Sequence, residues 1–173
     1  GADKVIGVDR DPLAFRLAEP WAGHYGDRPV LRARTFSNLD TLAAEPLDGV
    51  VLDLWVSSLH IDTPGRGFSF QKDGPLDMRM GVGAPLSAAA WIARARVSEM
   101  TQVFRELGEE RHAGRIARAI ERARGEAPIE TTGRLAEIVA WLAARDLATL
   151  PGVPERRARP PAAPAGRARA PGA

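Results

Sequence analysis

The sequence contains no cysteine in 173 residues. That excludes a disulfide scaffold and a thiolate metal site. Its histidines are few, and His24, His60 and His112 show no ligand spacing, so no metal site is expected. No apolar run approaches the ~20 residues that a membrane span needs. No charged segment followed by an apolar stretch opens the chain, so no signal peptide is expected. The expectation is a cytoplasmic protein with no membrane partner. Nucleotide-binding glycine patterns of the Walker type and Gly-x-Gly-x-x-Gly after a strand are both missing. Ser57-Ser58 lacks the Gly-x-Ser-x-Gly setting of a nucleophilic serine. Lysine is nearly absent, since arginine supplies 22 of the 24 basic residues.

What is present points to a folded chain with a separate tail. Hydrophobic residues make up 45%, enough for a packed core. The net charge of +2 divides unevenly. Five arginines and one glutamate fall in residues 151–173, whereas residues 1–150 carry a slight acidic excess. The basic balance therefore belongs to the tail and says little about the folded surface. Residues 151–173 hold mostly Pro, Gly, Ala and Arg and cannot bury enough apolar area to order themselves. They are expected to be disordered, with an RNA-binding arm as the functional alternative.

The first 56 residues read as α/β. Val5-Ile6-Gly7-Val8-Asp9 is a short apolar run of the kind that forms a buried parallel strand. Asp11-Pro12 suits the start of a helix, with Asp11 as N-cap and the helix reaching about Glu19, before Pro20. Residues 30–36 read as a second strand, Ser37 or Asn38 as the cap of a short helix to Leu42, and residues 49–54 as a third strand. Residues 57–85 are broken by glycines and prolines and read as one long loop. Phe68, Phe70, Met78 and Met80 give it the means to pack, which favours a functional loop. From Ser87 onward the period is helical. Ser87, Ser98 and Thr131 or Thr132 are candidate caps, Gly108 is a stop, and Ile116 and Ile120 share a face. Arginine-rich faces on these helices fit either a solvated surface or a nucleic-acid contact.

Two acids stand at predicted strand ends. Asp9 closes the first strand, where doubly wound folds bind ligands and an acid can accept from ribose hydroxyls. Capping the next helix explains it equally well. Asp53 closes the third run, where it could bind a ligand amine or accept a proton. The tryptophans Trp21, Trp91 and Trp141 are expected in the core, while Trp55 lies beside Asp53.

The stretch Arg66-Gly67-Phe68-Ser69-Phe70-Gln71-Lys72-Asp73-Gly74-Pro75-Leu76-Asp77-Met78-Arg79-Met80 resembles the signature loop of the RsmH (MraW) family. Ile6 to Pro12, Leu52 to Leu54 with Val56 to Ser58, and Gly108 to Ile120 agree with that family in order and spacing. The resemblance covers about residues 5–146. It implies S-adenosylmethionine-dependent methylation of the N4 amino group of a cytosine in small-subunit (16S) ribosomal RNA. It also implies a Rossmann-like methyltransferase fold with an inserted helical subdomain for substrate recognition, and no DNA partner. The implied division is a partial core at 1–84 containing the signature loop 57–85, helices at 85–146, and a tail at 147–173. The implied cofactor residues are Asp9 at the ribose, Phe36 against adenine, and Asp53 at the methionine end. His60 stands where the family usually has a cofactor-contacting glutamine. Asp53 is also the candidate catalytic group.

Several departures shape the expectation. The chain starts at what the resemblance makes the second strand, so the family's first strand and Gly-Gly-His loop are expected to be missing. Residues 5–9 and 49–54 would then lack a shared neighbour. Trp55 stands at a family glycine and Leu59 at a family proline, and the motifs stop near residue 146. The expected activity of this chain is therefore weak or nil, with a non-catalytic RNA-binding role as the alternative.

Overall fold

The computed structural model describes residues 3–41, 46–54, 56–81 and 83–148, with side chains given as far as residue 143. The chain forms two compact units, one of residues 1–57 with 79–86 and one of residues 58–78 with 87–173. The predicted tail beyond residue 148 lies outside the described residues.

The first unit is built on two parallel strands. Strand β1 (Val5–Asp9) pairs in register with β2 (Pro29–Ala33), from Val5 opposite Pro29 to Asp9 opposite Ala33. Helix α1 (Pro12–Ala22) connects them. Asp11 caps it as expected, its carboxylate accepting the Leu13 N–H at 3.0 Å with Pro12 in the first turn. The helix runs through Pro20 to Ala22 rather than stopping before it. Pro20 sits on the exposed side together with Arg16, where water can serve the carbonyl that the missing N–H leaves unbonded.

Residues 36–41 form 3₁₀ turns kinked at Asn38, so β2 ends three residues earlier than the sequence pattern implies. Leu42, the expected helix end, lies outside the described residues. The expected third strand is also not formed. Residues 50–54 are irregular, and Val51 is 96% exposed. An apolar run becomes a strand only beside backbone groups it can bond, and β1 pairs with β2 alone among the described residues.

The second unit is helical. It contains α2 (Ser58–Asp62), α3 (Ala88–Ile92), α4 (Val97–Glu106), α5 (Ala113–Glu126) and α6 (Thr132–Ala148). Ser87 caps α3 through the Ala90 N–H at 3.2 Å, and Thr131 caps α6 through the Arg134 N–H at 3.1 Å. Ser98 does not cap α4, because the helix already starts at Val97. Helix α5 starts at Ala113, after Glu109 has taken a positive φ of 50°. Met100 and Ile120 are fully buried and centre a core with Leu76, Ile92, Ile129 and Ile138. Trp91 packs on this core and meets Phe104 edge-on. Trp21, expected inside, is half exposed against Tyr25, since α1 has only a two-stranded sheet to cover.

Candidate functional site

The carboxyl edge of the parallel pair gathers the first candidates. Asp9 accepts the Asp11 N–H through Oδ1 at 2.8 Å, and Asp11 then holds the helix start. This fixes the Asp9 carboxylate at the strand end while its second oxygen keeps acceptor capacity. The Arg34 N–H donates to the Asp9 carbonyl at 3.0 Å, which draws the end of β2 alongside. Just beyond, the Thr35 hydroxyl donates to Asn38 Oδ1 at 2.6 Å and lies 2.9 Å from the Ser37 hydroxyl. These bonds close the turn around Phe36, which is 59% exposed. The segment 79–86 reaches the turn between β1 and α1. A side chain at Gly81 would collide with the Arg10 carbonyl, so glycine permits that approach.

Asp9 and Phe36 therefore share one edge. Asp53 lies in the irregular segment and is exposed. Trp55 lies outside the described residues. His60 belongs to the other unit, on α2, where its ring lies 5.2 Å from that of Phe68.

The signature stretch is folded tightly rather than left as a loose loop. Gly67 has a φ of 74°, and a side chain there would strike the Pro75 carbonyl and lie 2.5 Å from the Asp77 nitrogen. A side chain at Gly74 would strike the Pro64 carbonyl. The two glycines thus let two backbone passes, residues 64–67 and 74–78, touch. Ser69 is buried and accepts the N–H groups of Gln71 and Lys72 at 3.2 and 3.1 Å. Leu76 donates to the Glu130 carbonyl at 2.7 Å, and Ala89 donates to the Leu76 carbonyl at 2.8 Å. Asp73 accepts from the Gly133 N–H at 2.7 Å, at the start of α6. That bond chiefly holds the Asp73 carboxyl below the usual carboxylate range, against partial desolvation and with help from Thr131, Gly74 and Thr132.

Sequence reasoning had no signal for the Asp73 tie or the Gly81 approach, because both join residues through tertiary packing. The helix arginines were legible only as basic faces. The structure sorts them: Arg124 donates to the Ile92 and Ala95 carbonyls, whereas Arg115, Arg118 and Arg122 line an open groove.

The family model of the MraW methylase family matches residues 1–151. The chain belongs to the MraW methylase family. Proteins named ribosomal RNA small subunit methyltransferase H are similar to it. One from Cereibacter sphaeroides is 59% identical over 140 residues, covering 81% of this chain and 42% of that protein. One from a Ruegeria species is 57% identical over 139 residues, covering 80% and 42%. One from a Jannaschia species is 56% identical over 140 residues, with the same coverage of 80% and 42%. The chain thus spans less than half the length of the relatives it matches. Membership with a small parallel sheet and attached helices fits part of a Rossmann-like fold, and a methylase family implies a methyl donor of the S-adenosylmethionine type. The carboxyl edge suits the nucleoside half of such a donor. Asp9 offers a free carboxylate oxygen for hydroxyls, and Phe36 an exposed ring for a base.

Proposed function

We propose that this chain serves S-adenosylmethionine-dependent methylation of the N4 amino group of a cytosine in small-subunit (16S) ribosomal RNA. The observation that carries this reading is the placement of Asp9 at the carboxyl end of β1 and of exposed Phe36 just past the carboxyl end of its partner β2, in a family whose relatives bear that methyltransferase name. Asp9 would hold the ribose hydroxyls and Phe36 the adenine face. Asp53, in the same unit, would face the methionine end of the cofactor. The units 1–57 with 79–86 and 58–78 with 87–173 would act as a partial cofactor core and an inserted helical substrate-recognition subdomain.

S-adenosylmethionine supplies an electrophilic methyl group on a sulfonium when bound. A cytosine amino group is a weak nucleophile, because its lone pair delocalises into the ring. The chain must therefore orient that amine and accept its hydrogen bond or proton, a task that suits an exposed carboxylate such as Asp53. The amine is occupied in a duplex, so the target base must be unpaired or flipped out.

Calorimetric titration of the full chain with S-adenosylmethionine tests the reading. Weak saturable binding is expected, falling at least about 10-fold in Asp9→Ala, since a lost hydrogen bond to a charged group is worth ~1.5–3 kcal/mol. Saturable binding indifferent to both Asp9→Ala and Phe36→Ala would overturn the site. Transfer of labelled methyl from the donor to purified small subunits should be slow and confined to cytosine N4. Label on another atom would overturn the substrate assignment.

A further inference from the structure

The chain contains two Asp-Gly pairs, Asp48-Gly49 and Asp73-Gly74. Such a pair is open to internal cyclisation, because glycine has no side chain to hinder its own nitrogen. That nitrogen attacks the aspartyl carboxyl carbon. A C–N bond forms, water leaves, and a five-membered succinimide results. Water then opens the ring at either carbonyl. One opening restores aspartate. The other gives isoaspartate, whose main chain runs through the former side chain. The reaction needs no oxidant or cofactor, and the mass is unchanged overall.

Both aspartates are exposed, so exposure alone does not separate them. Their surroundings do. Asp73 Oδ1 accepts the Gly133 N–H at 2.7 Å and the Gly74 N–H at 3.0 Å. The Gly133 bond above all holds that carboxyl below the usual carboxylate range, and an ionised carboxylate is a poor electrophile. Gly74 abuts the Pro64 carbonyl, and its own carbonyl accepts the Thr132 N–H at 3.0 Å. Ring closure there must break the junction with the start of α6. Asp48-Gly49 sits in residues 46–54, which are irregular and exposed throughout. A side chain at Gly49 would meet no atom within 4 Å, so the backbone there has room to turn.

We propose that Asp48-Gly49 is a site of spontaneous isoaspartate formation, and that the fold protects Asp73-Gly74 from the same reaction. The product adds one carbon to the main chain just upstream of Asp53. It also leaves a carboxylate on the α-carbon of residue 48. That carboxylate makes the aged chain a substrate for an isoaspartyl carboxyl methyltransferase. Such an enzyme moves a methyl group from S-adenosylmethionine to the carboxylate oxygen, forming an ester. The site is independent of the ribosomal RNA reading.

The test ages the full chain in neutral buffer, folded and in concentrated urea. Peptide chromatography with electron-transfer fragmentation maps the isoaspartate. Labelled methyl uptake with a purified isoaspartyl methyltransferase gives the total. In the folded chain, residue 48 should gather at least about 10-fold more isoaspartate than residue 73, because opening a charge-assisted bond lowers the reactive population by about that factor. In urea the two sites should converge. Gly49→Ala should suppress conversion at residue 48, and the open space there accommodates the added carbon without unfolding. Asp48→Glu should suppress it too, since its ring would be six-membered. Conversion at residue 73 as fast as at residue 48 in the folded chain would overturn the proposal. So would conversion at residue 48 in urea alone, which would show that the folded segment holds Asp48. A ratio unchanged by urea would assign the difference to the flanking residues and overturn protection by the fold.

Discussion

At the scale of single residues, the positions that matter most combine a polar atom with a fixed backbone. Asp9 has both, because its carboxylate is tied to the Asp11 N–H and β1 ends at it. Its spacing from Pro12 was readable, since strand, acid and helix start follow one another in sequence. Asp53 shows the limit of such reading. The same apolar-then-acid pattern led to it, yet residues 50–54 are irregular because a strand's ladder is made by its neighbour. Gly67 and Gly74 were legible as breakers, but not as contact points. Gly67→Ala should cost about 1–3 kcal/mol from the positive φ alone, with the collision at Pro75 adding to it. Thermal unfolding of that variant beside Gly65→Ala checks this, because Gly65 faces open space and should change the midpoint far less.

At the scale of elements, the signature stretch behaves as a spline along the helices. The sequence showed a loop too long for an ordinary connection and apolar enough to pack. It could not show that Asp73 would meet Gly133, 60 positions away. The folded-state lowering of the Asp73 pKa gives this junction a pH dependence. Its contribution is fully present above the unfolded carboxylate value and is lost as pH falls through the lower folded value. Asp73→Asn should therefore melt with less acid sensitivity than the parent between about pH 5 and 2, and the difference between the two proteins isolates this carboxylate. Equal acid sensitivity would remove Asp73 from the junction. In the core, Met100→Ala should cost about 2–5 kcal/mol, because that side chain is fully buried where α4 meets α5. Denaturant midpoints measure it.

At the scale of the whole molecule, burial is unevenly shared. Nearly all buried apolar residues belong to the helical unit, whereas in the sheet unit Ala18 alone is buried among the described residues. Val50, Val51, Leu52 and Leu54 meet solvent there. Hydrogen exchange should therefore be on the order of 100-fold faster in β1 and β2 than in α5. Equal protection in both would overturn this ranking. The helices were readable from their own period, since each carries its apolar stripe in sequence. The sheet was only half readable, because its pattern names strands without naming their partners.

The unit boundary between Met78 and Arg79 has a practical consequence for dissection. Chain identity changes from one unit to the other at three points, after residues 57, 78 and 86. No single cut can therefore release either unit whole. A piece starting at Ser87 would lose Leu76 from the helical core and leave the Ala88 and Ala89 amides without the Asp77 and Leu76 carbonyls they donate to. A piece ending at Ser57 would forfeit the Gly81 strap on the Arg10 carbonyl. Exchange of either unit with a relative's must be made as a two-segment graft, with the signature motif divided between donor and host.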